Sequence, residues 1–148
     1  MRIELGNNLD NVEITDGFDP IPPGTYTLSV AKVPEVKQGG KGPYVAWEFE
    51  IVEAEDTDLN KRKVFHNTSL VERALGMPTG IKALLQNIGL PWDDTGFDGS
   101  LSVGLRCSAD VENRTITEKD DTGKIVTDKD GNPKTNIYDD IATFYEAY

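Results

Sequence analysis

The side chains best placed for chemistry in this chain are cations set beside aromatics. Lys61-Arg62-Lys63 is its one run of three consecutive basic residues, with Phe65 and the single histidine, His66, just beyond. Lys37 and Lys41 bracket a Gly-Gly pair, and Tyr44 follows shortly after. Lys32 precedes that group, with Glu35 between it and Lys37, and Arg106 and Arg114 lie further along. Cations that track a phosphodiester backbone and rings on which bases stack are the two requirements of a single-strand binder, each stack contributing about 1–3 kcal/mol. The candidate nucleic-acid contacts are therefore Lys37, Lys41, Tyr44, Lys61, Arg62, Lys63, Phe65 and Arg106.

Catalytic readings find little support. There is no Gly-x-Ser-x-Gly elbow, no phosphate-binding Gly-rich loop and no paired-histidine motif. Cys107 and His66 could form a dyad only if Cys107 left the apolar face to which its neighbours assign it. Glu35-Val36-Lys37 with Asp16 or Asp19 upstream echoes metal-dependent nucleases, but a motif this short arises often by chance. Asp128 to Asn132 hints at calcium. Placing Gly131 sixth in an EF-hand loop puts Val126 first and Ile137 twelfth, where oxygen donors are required. No enzyme, metal or cofactor is expected.

The 148 residues suit one domain. The formal net charge of −11 argues against a uniformly cationic, duplex-coating surface, so the placement of each Lys and Arg becomes decisive. The single cysteine forbids an internal disulfide and fits a reducing compartment. No secretory leader or membrane span is apparent, and a cytoplasmic location is expected.

The elements that must position these residues read as mainly β. Tyr26, Leu28 and Val30 alternate within a strand predicted over 25–33. Residues 34–43, with two prolines and three glycines, read as a loop. Val45, Trp47, Phe49 and Ile51 form the inner face of a strand over 44–52, leaving Tyr44 on the other face. A third strand is expected over 62–70, its facing ambiguous. Ile81, Leu84, Leu85 and Ile88 carry the stripe of a helix over 78–90, with Pro78 in its first turn and Gly89 and Pro91 ending it. A long alternation over 101–111 places Leu101, Val103, Leu105, Cys107, Ala109 and Val111 on one face. Residues 117–135 read as a mobile hairpin or loop and 136–144 as a last strand. The order implies a five-stranded OB-like barrel with one helix between strands three and four. A polar arm (1–19) would precede this domain (20–138). Residues 139–148 would form either an acidic-aromatic tail or a frayed last strand.

Four passages carry a family resemblance: Pro22-Pro23-Gly24-Thr25-Tyr26, the strand-loop-strand through Gly42-Pro43-Tyr44 to Ile51, Lys61-Arg62-Lys63-Val64-Phe65, and Gly80-Ile81-Lys82-Ala83-Leu84-Leu85 with Ile88-Gly89-Leu90 before a strand ending in Asn113. With them the chain resembles short bacteriophage proteins of replication and recombination modules, a family of formerly unknown function. Some members look like OB-fold single-stranded-DNA-binding proteins. The resemblance implies sequence-tolerant binding of single strands during replication. Beside it, an acidic C-terminal tail could dock replication proteins, and a homo-oligomer is left open.

Plainer readings stand beside these. The basic triplet could be a solvated hairpin end guarding a sheet edge. Tyr44 could be exposed without function, Phe65 could be core, and Trp47 and Cys107 belong to the core by pattern. The chain as a whole could be a virion or assembly component, or an acidic DNA mimic that blocks a basic host protein.

Overall fold

The computed structural model describes residues 1–6, 8, 10, 20–127 and 129–147. Asp16, Asp19 and Asp128, on which the nuclease-like and calcium-like readings depend, lie outside the described residues, as does most of the expected N-terminal arm. The strands are β1 (Gly24–Val30), β2 (Glu35–Gly39), β3 (Gly42–Val52), β4 (Lys63–Ser69), β5 (Arg106–Thr117) and β6 (Thr135–Glu146), with helix α1 (Ile81–Ile88) between β4 and β5. They form one antiparallel sheet of six strands in the order β2-β3-β1-β5-β6, with β4 on the other edge of β3. Among the described residues no helix is long and apolar enough to cross a membrane.

β3 is the centre of the architecture. Its inward residues Val45, Trp47, Phe49 and Ile51 are all buried, as their alternation predicts. One edge of β3 pairs with β4 from Tyr44↔Ser69 to Glu50↔Lys63. The other edge is shared, pairing with β2 near its start and with β1 near its end. The expected loop over 34–43 therefore contains a sixth strand. Proline and glycine punctuate it, but Glu35 to Gly39 return along β3 through the tight turn at Gly40-Lys41.

α1 covers the core with Ile81, Leu84, Leu85 and Ile88, the expected stripe. It begins at Ile81 after an extended Gly80, so Pro78 lies ahead of the helix rather than in its first turn. Gly89 ends it with φ 76°, a left-handed conformation that glycine adopts without steric cost, and the Leu90 N–H then bonds the Leu85 carbonyl at 3.0 Å.

The strand expected over 101–111 starts only at Arg106. The Asp98 carboxylate accepts the Ser100 N–H at 3.0 Å and caps a short 3₁₀ turn, Gly99–Leu101. This local bonding competes with the sheet and reverses the facing of the segment. Ser102 is buried, whereas Leu101 and Val103 are 62% and 47% exposed. From Cys107 onward the expected facing holds, with Cys107, Ala109 and Val111 in the core.

β5 and β6 pair from Cys107↔Glu146 to Thr117↔Thr135, with a register shift at Asp110/Val111. Residues 139–146 are thus strand rather than free tail. Between β5 and β6 the described residues form no further strand, but the isolated bridges Lys119↔Ile125 and Thr127↔Pro133, and backbone bonds such as that from the Lys134 N–H to the Val126 carbonyl at 2.8 Å, tie the connection together.

Candidate nucleic-acid interface

β4 resolves the facing that its sequence leaves ambiguous. Val64 and Thr68 point into the core and His66 is half-buried, so Lys63, Phe65 and Asn67 point outward. Register aligns these outward residues with those of β2 and β3. Lys37 lies opposite Tyr44 and Tyr44 opposite Ser69; Glu48 lies opposite Phe65, and Glu50 opposite Lys63. Lys37, Tyr44, Lys63 and Phe65 therefore share one face. Phe65 is the prominent ring on it, 64% exposed. Tyr44 is half-buried, and its ring runs so close to Gly39 that a Cβ there would meet the ring at 3.0 Å.

Phe65 stands between two depressions. One is a shallow hollow of about 100 Å³ walled by Lys32, Lys37 and Glu48. The other is a cleft of about 770 Å³ between β4 and β6, lined by Lys61, Arg62, Lys63, His66, Arg114, Tyr138 and two carboxylates, Asp139 and Asp140. The Lys61-Arg62 backbone is fixed at the cleft rim by Ile51, whose carbonyl accepts the Lys61 N–H at 2.8 Å and whose N–H donates to the Arg62 carbonyl at 2.9 Å. Lys61 holds φ 70°, the turn that swings the triplet into β4.

Arg114 and Tyr138 face each other in the β5–β6 register, and the guanidinium lies over the ring, 5.6 Å from its centroid. Neither was among the residues selected from sequence. Their pairing depends on the register of two strands joined by a long polar connection, a relationship that no local pattern carries.

The carboxylates temper this surface. Arg114 Nε lies 2.8 Å from Asp140 Oδ2, and Lys63 Nζ lies 3.4 Å from Glu50 Oε2. Asp139 Oδ1 accepts the Ile21 N–H and the Asn113 Nδ2–H, each at 3.0 Å, and so anchors the start of the domain. Arg106 is at the far end of the row Arg106-Ser29-Glu50-Lys63, and its guanidinium is 3.0 Å from Glu53. It does not line the cleft. Lys41 sits in the exposed hairpin turn beyond Lys37.

His66 forms the floor of this region. Its Nε2 lies 2.8 Å from the Thr79 carbonyl oxygen, and its ring meets Phe144 edge-on at 5.2 Å. Burial pushes its pKa below the usual value, against the opposing pull of the Thr79 carbonyl and Asp140. Cys107 is buried, and burial pushes its thiol up to about 12, so it is a packed core group rather than a nucleophile. Among the described residues no cluster of His, Cys, Asp or Glu could hold a metal ion. In comparison with known proteins, the chain matches no family model and no curated protein.

Proposed function

We propose that the protein binds single-stranded DNA in the cleft between β4 and β6 and across the adjoining face of β3 and β4. One observation carries this reading: in a chain of net charge −11, the cleft gathers Lys61, Arg62, Lys63 and Arg114 against two carboxylates, beside the exposed rings of Phe65 and Tyr138. Backbone neutralisation and base stacking need that combination and no catalytic group. Lys37 and Lys41 extend the cationic path past Tyr44, and Arg106 contributes from the margin.

The proposal includes an OB-like barrel, opened between β4 and β6. β1 and β2 together act as one interrupted first strand along β3, which brings the strand count to five and sets α1 between the third and fourth. The phage replication or recombination context, in the host cytoplasm, rests on the family resemblance. Residues 139–146 are occupied in β6 and so form no free tail on which replication proteins would dock.

A second reading, an interaction protein, draws on Trp92 and Leu101, which are exposed around a groove that also contains Asp93 and Asp98. Fluorescence anisotropy with a labelled poly-dT oligomer, titrated with salt beside a duplex control, tests the choice. Single-strand binding that weakens steeply with salt, with little duplex binding, supports the first reading. Absence of binding at low salt overturns it in favour of the second.

A further inference from the structure

We infer that the open edge of β2 pairs with the same edge of a second copy of the chain, antiparallel, about a twofold axis at Val36. β2 is the terminal strand of the sheet path, all five of its residues are exposed, and Val36 is 66% exposed. An exposed edge offers unpaired N–H and C=O groups to another strand.

The orientation of those groups follows from β3. The Pro43 carbonyl accepts the Leu70 N–H at 2.9 Å, on the β4 side, and the Glu48 carbonyl accepts the Ala31 N–H at 2.9 Å, on the opposite side. Backbone groups alternate along a strand, so Pro43 and Val45 face β4 while Tyr44 and Ala46 face β2. Lys37 and Glu35, opposite Tyr44 and Ala46, are bonded to β3. Val36 and Gln38, opposite Val45 and Pro43, turn their backbone groups out of the sheet.

The sequence of this edge is self-complementary. With Val36 opposite Val36 of the second copy, the two exchange both N–H···O=C bonds in a narrow antiparallel pair. Glu35 then faces Lys37 of the second copy, and Lys37 faces its Glu35. Moving the axis to Lys37 or to Glu35 opposes like charges, which is unfavourable for directly facing residues. Charges on a lone edge usually block pairing. Here opposite signs flank the apolar residue and match under twofold symmetry. Glu35 lies 3.9 Å from Lys32, but both side chains are more than half exposed, and such a pair holds Glu35 only weakly. Pro34 has no N–H and limits the new ladder, so the association is short and concentration-dependent.

The axis stands perpendicular to the sheet, so both copies present Lys37 and Tyr44 on the same side. That continuation of the binding face depends on the function proposed above, whereas the dimer does not.

Sedimentation equilibrium without nucleic acid, from about 10 µM to about 1 mM, covers the range in which low-area associations are populated. The wild type should show a monomer–dimer equilibrium. Glu35→Lys alone and Lys37→Glu alone should each weaken it by about tenfold, since two facing pairs become repulsive. An equimolar mixture of the two variants, or the double reversal E35K/K37E, should restore it, with circular dichroism confirming an unchanged fold. A wild type that is monomeric throughout, an association indifferent to the single reversals, or a failure of the mixture to restore it would overturn the proposal. Poly-dT binding measured in parallel separates the two readings: a dimer without DNA affinity defeats the site alone, and a DNA-binding monomer defeats the edge alone.

Discussion

Arg114 is held between Tyr138 and Asp140: its guanidinium carbon lies 5.6 Å from the ring centroid, while its Nε is 2.8 Å from the carboxylate. The ring supports the cation at the cleft wall, and the carboxylate competes with any phosphate that approaches it. In the proposed single-strand binding the two contacts would therefore act in opposite directions.

A paired substitution tests this opposition. Arg114→Gln should weaken poly-dT binding evenly across sequences and reduce the salt slope by about one, as expected for loss of one phosphate contact. Asp140→Asn should tighten binding, because it removes a negative charge from the cleft and frees the guanidinium. Anisotropy titrations at several salt concentrations read both. If Asp140→Asn leaves the affinity unchanged or lowers it, Arg114 does not contact phosphate.

Phe65 offers a second test because its ring is largely outside the core. Phe65→Ala should cost about 1–3 kcal/mol of single-strand affinity, the contribution of one base stack. It should leave the denaturation midpoint nearly unchanged, since little of the ring is removed from water on folding. Phe65→Trp should keep or improve binding. A stability loss comparable to the affinity loss would assign the ring to packing instead.

Much of the core was legible in the sequence, because periodicity reports burial wherever one face of an element is dry. The alternation of β3 and the helical stripe of α1 were both readable on that ground. Legibility failed where local bonding or long-range register decides. Asp98 caps a turn that exposes Leu101 and Val103 against their pattern, and β2 is a strand despite its flanking proline and glycines. In the candidate site the cationic triplet was readable as a run. The facing of Phe65 was not, since Val64 and Phe65 give β4 an apolar residue on each face. Arg114 and Tyr138 required the β5–β6 register.

His66 predicts a pH dependence of stability. Its folded pKa is depressed chiefly by burial, so below the unfolded value of about 6.5 the unfolded chain binds more protons than the folded one. Its contribution is therefore complete above about pH 6.5 and is lost as pH falls from there towards the lower folded value. The depressed carboxylates, Asp93, Asp98, Asp110 and Asp120, act in a more acidic window. Thermal denaturation between about pH 8 and pH 5 should show the midpoint falling on the acid side. His66→Gln keeps a donor for the Thr79 carbonyl without titrating, and it should flatten that fall. An equal fall in the variant would place the proton uptake elsewhere.

The buried polar bond behind the proposed binding face makes the last prediction. Trp47 donates its indole N–H to Thr68 Oγ1 at 2.9 Å, and both side chains are almost fully buried. The indole also lies nearly parallel to the rings of Phe49 and Phe97, with centroids 6.2 and 6.0 Å away, so it has little freedom to seek another acceptor. Thr68→Val preserves the shape but leaves the N–H unpaired, and it should destabilise the fold by about 1–3 kcal/mol despite making the core more apolar. Trp47→Phe removes the donor at the cost of packing volume. In that background Thr68→Val should cost much less, and the difference across the cycle measures the bond. Urea denaturation followed by far-ultraviolet circular dichroism reads all four proteins on one scale. Additive effects of the two substitutions would show that the bond contributes nothing to stability, and that Thr68 is held there by packing alone.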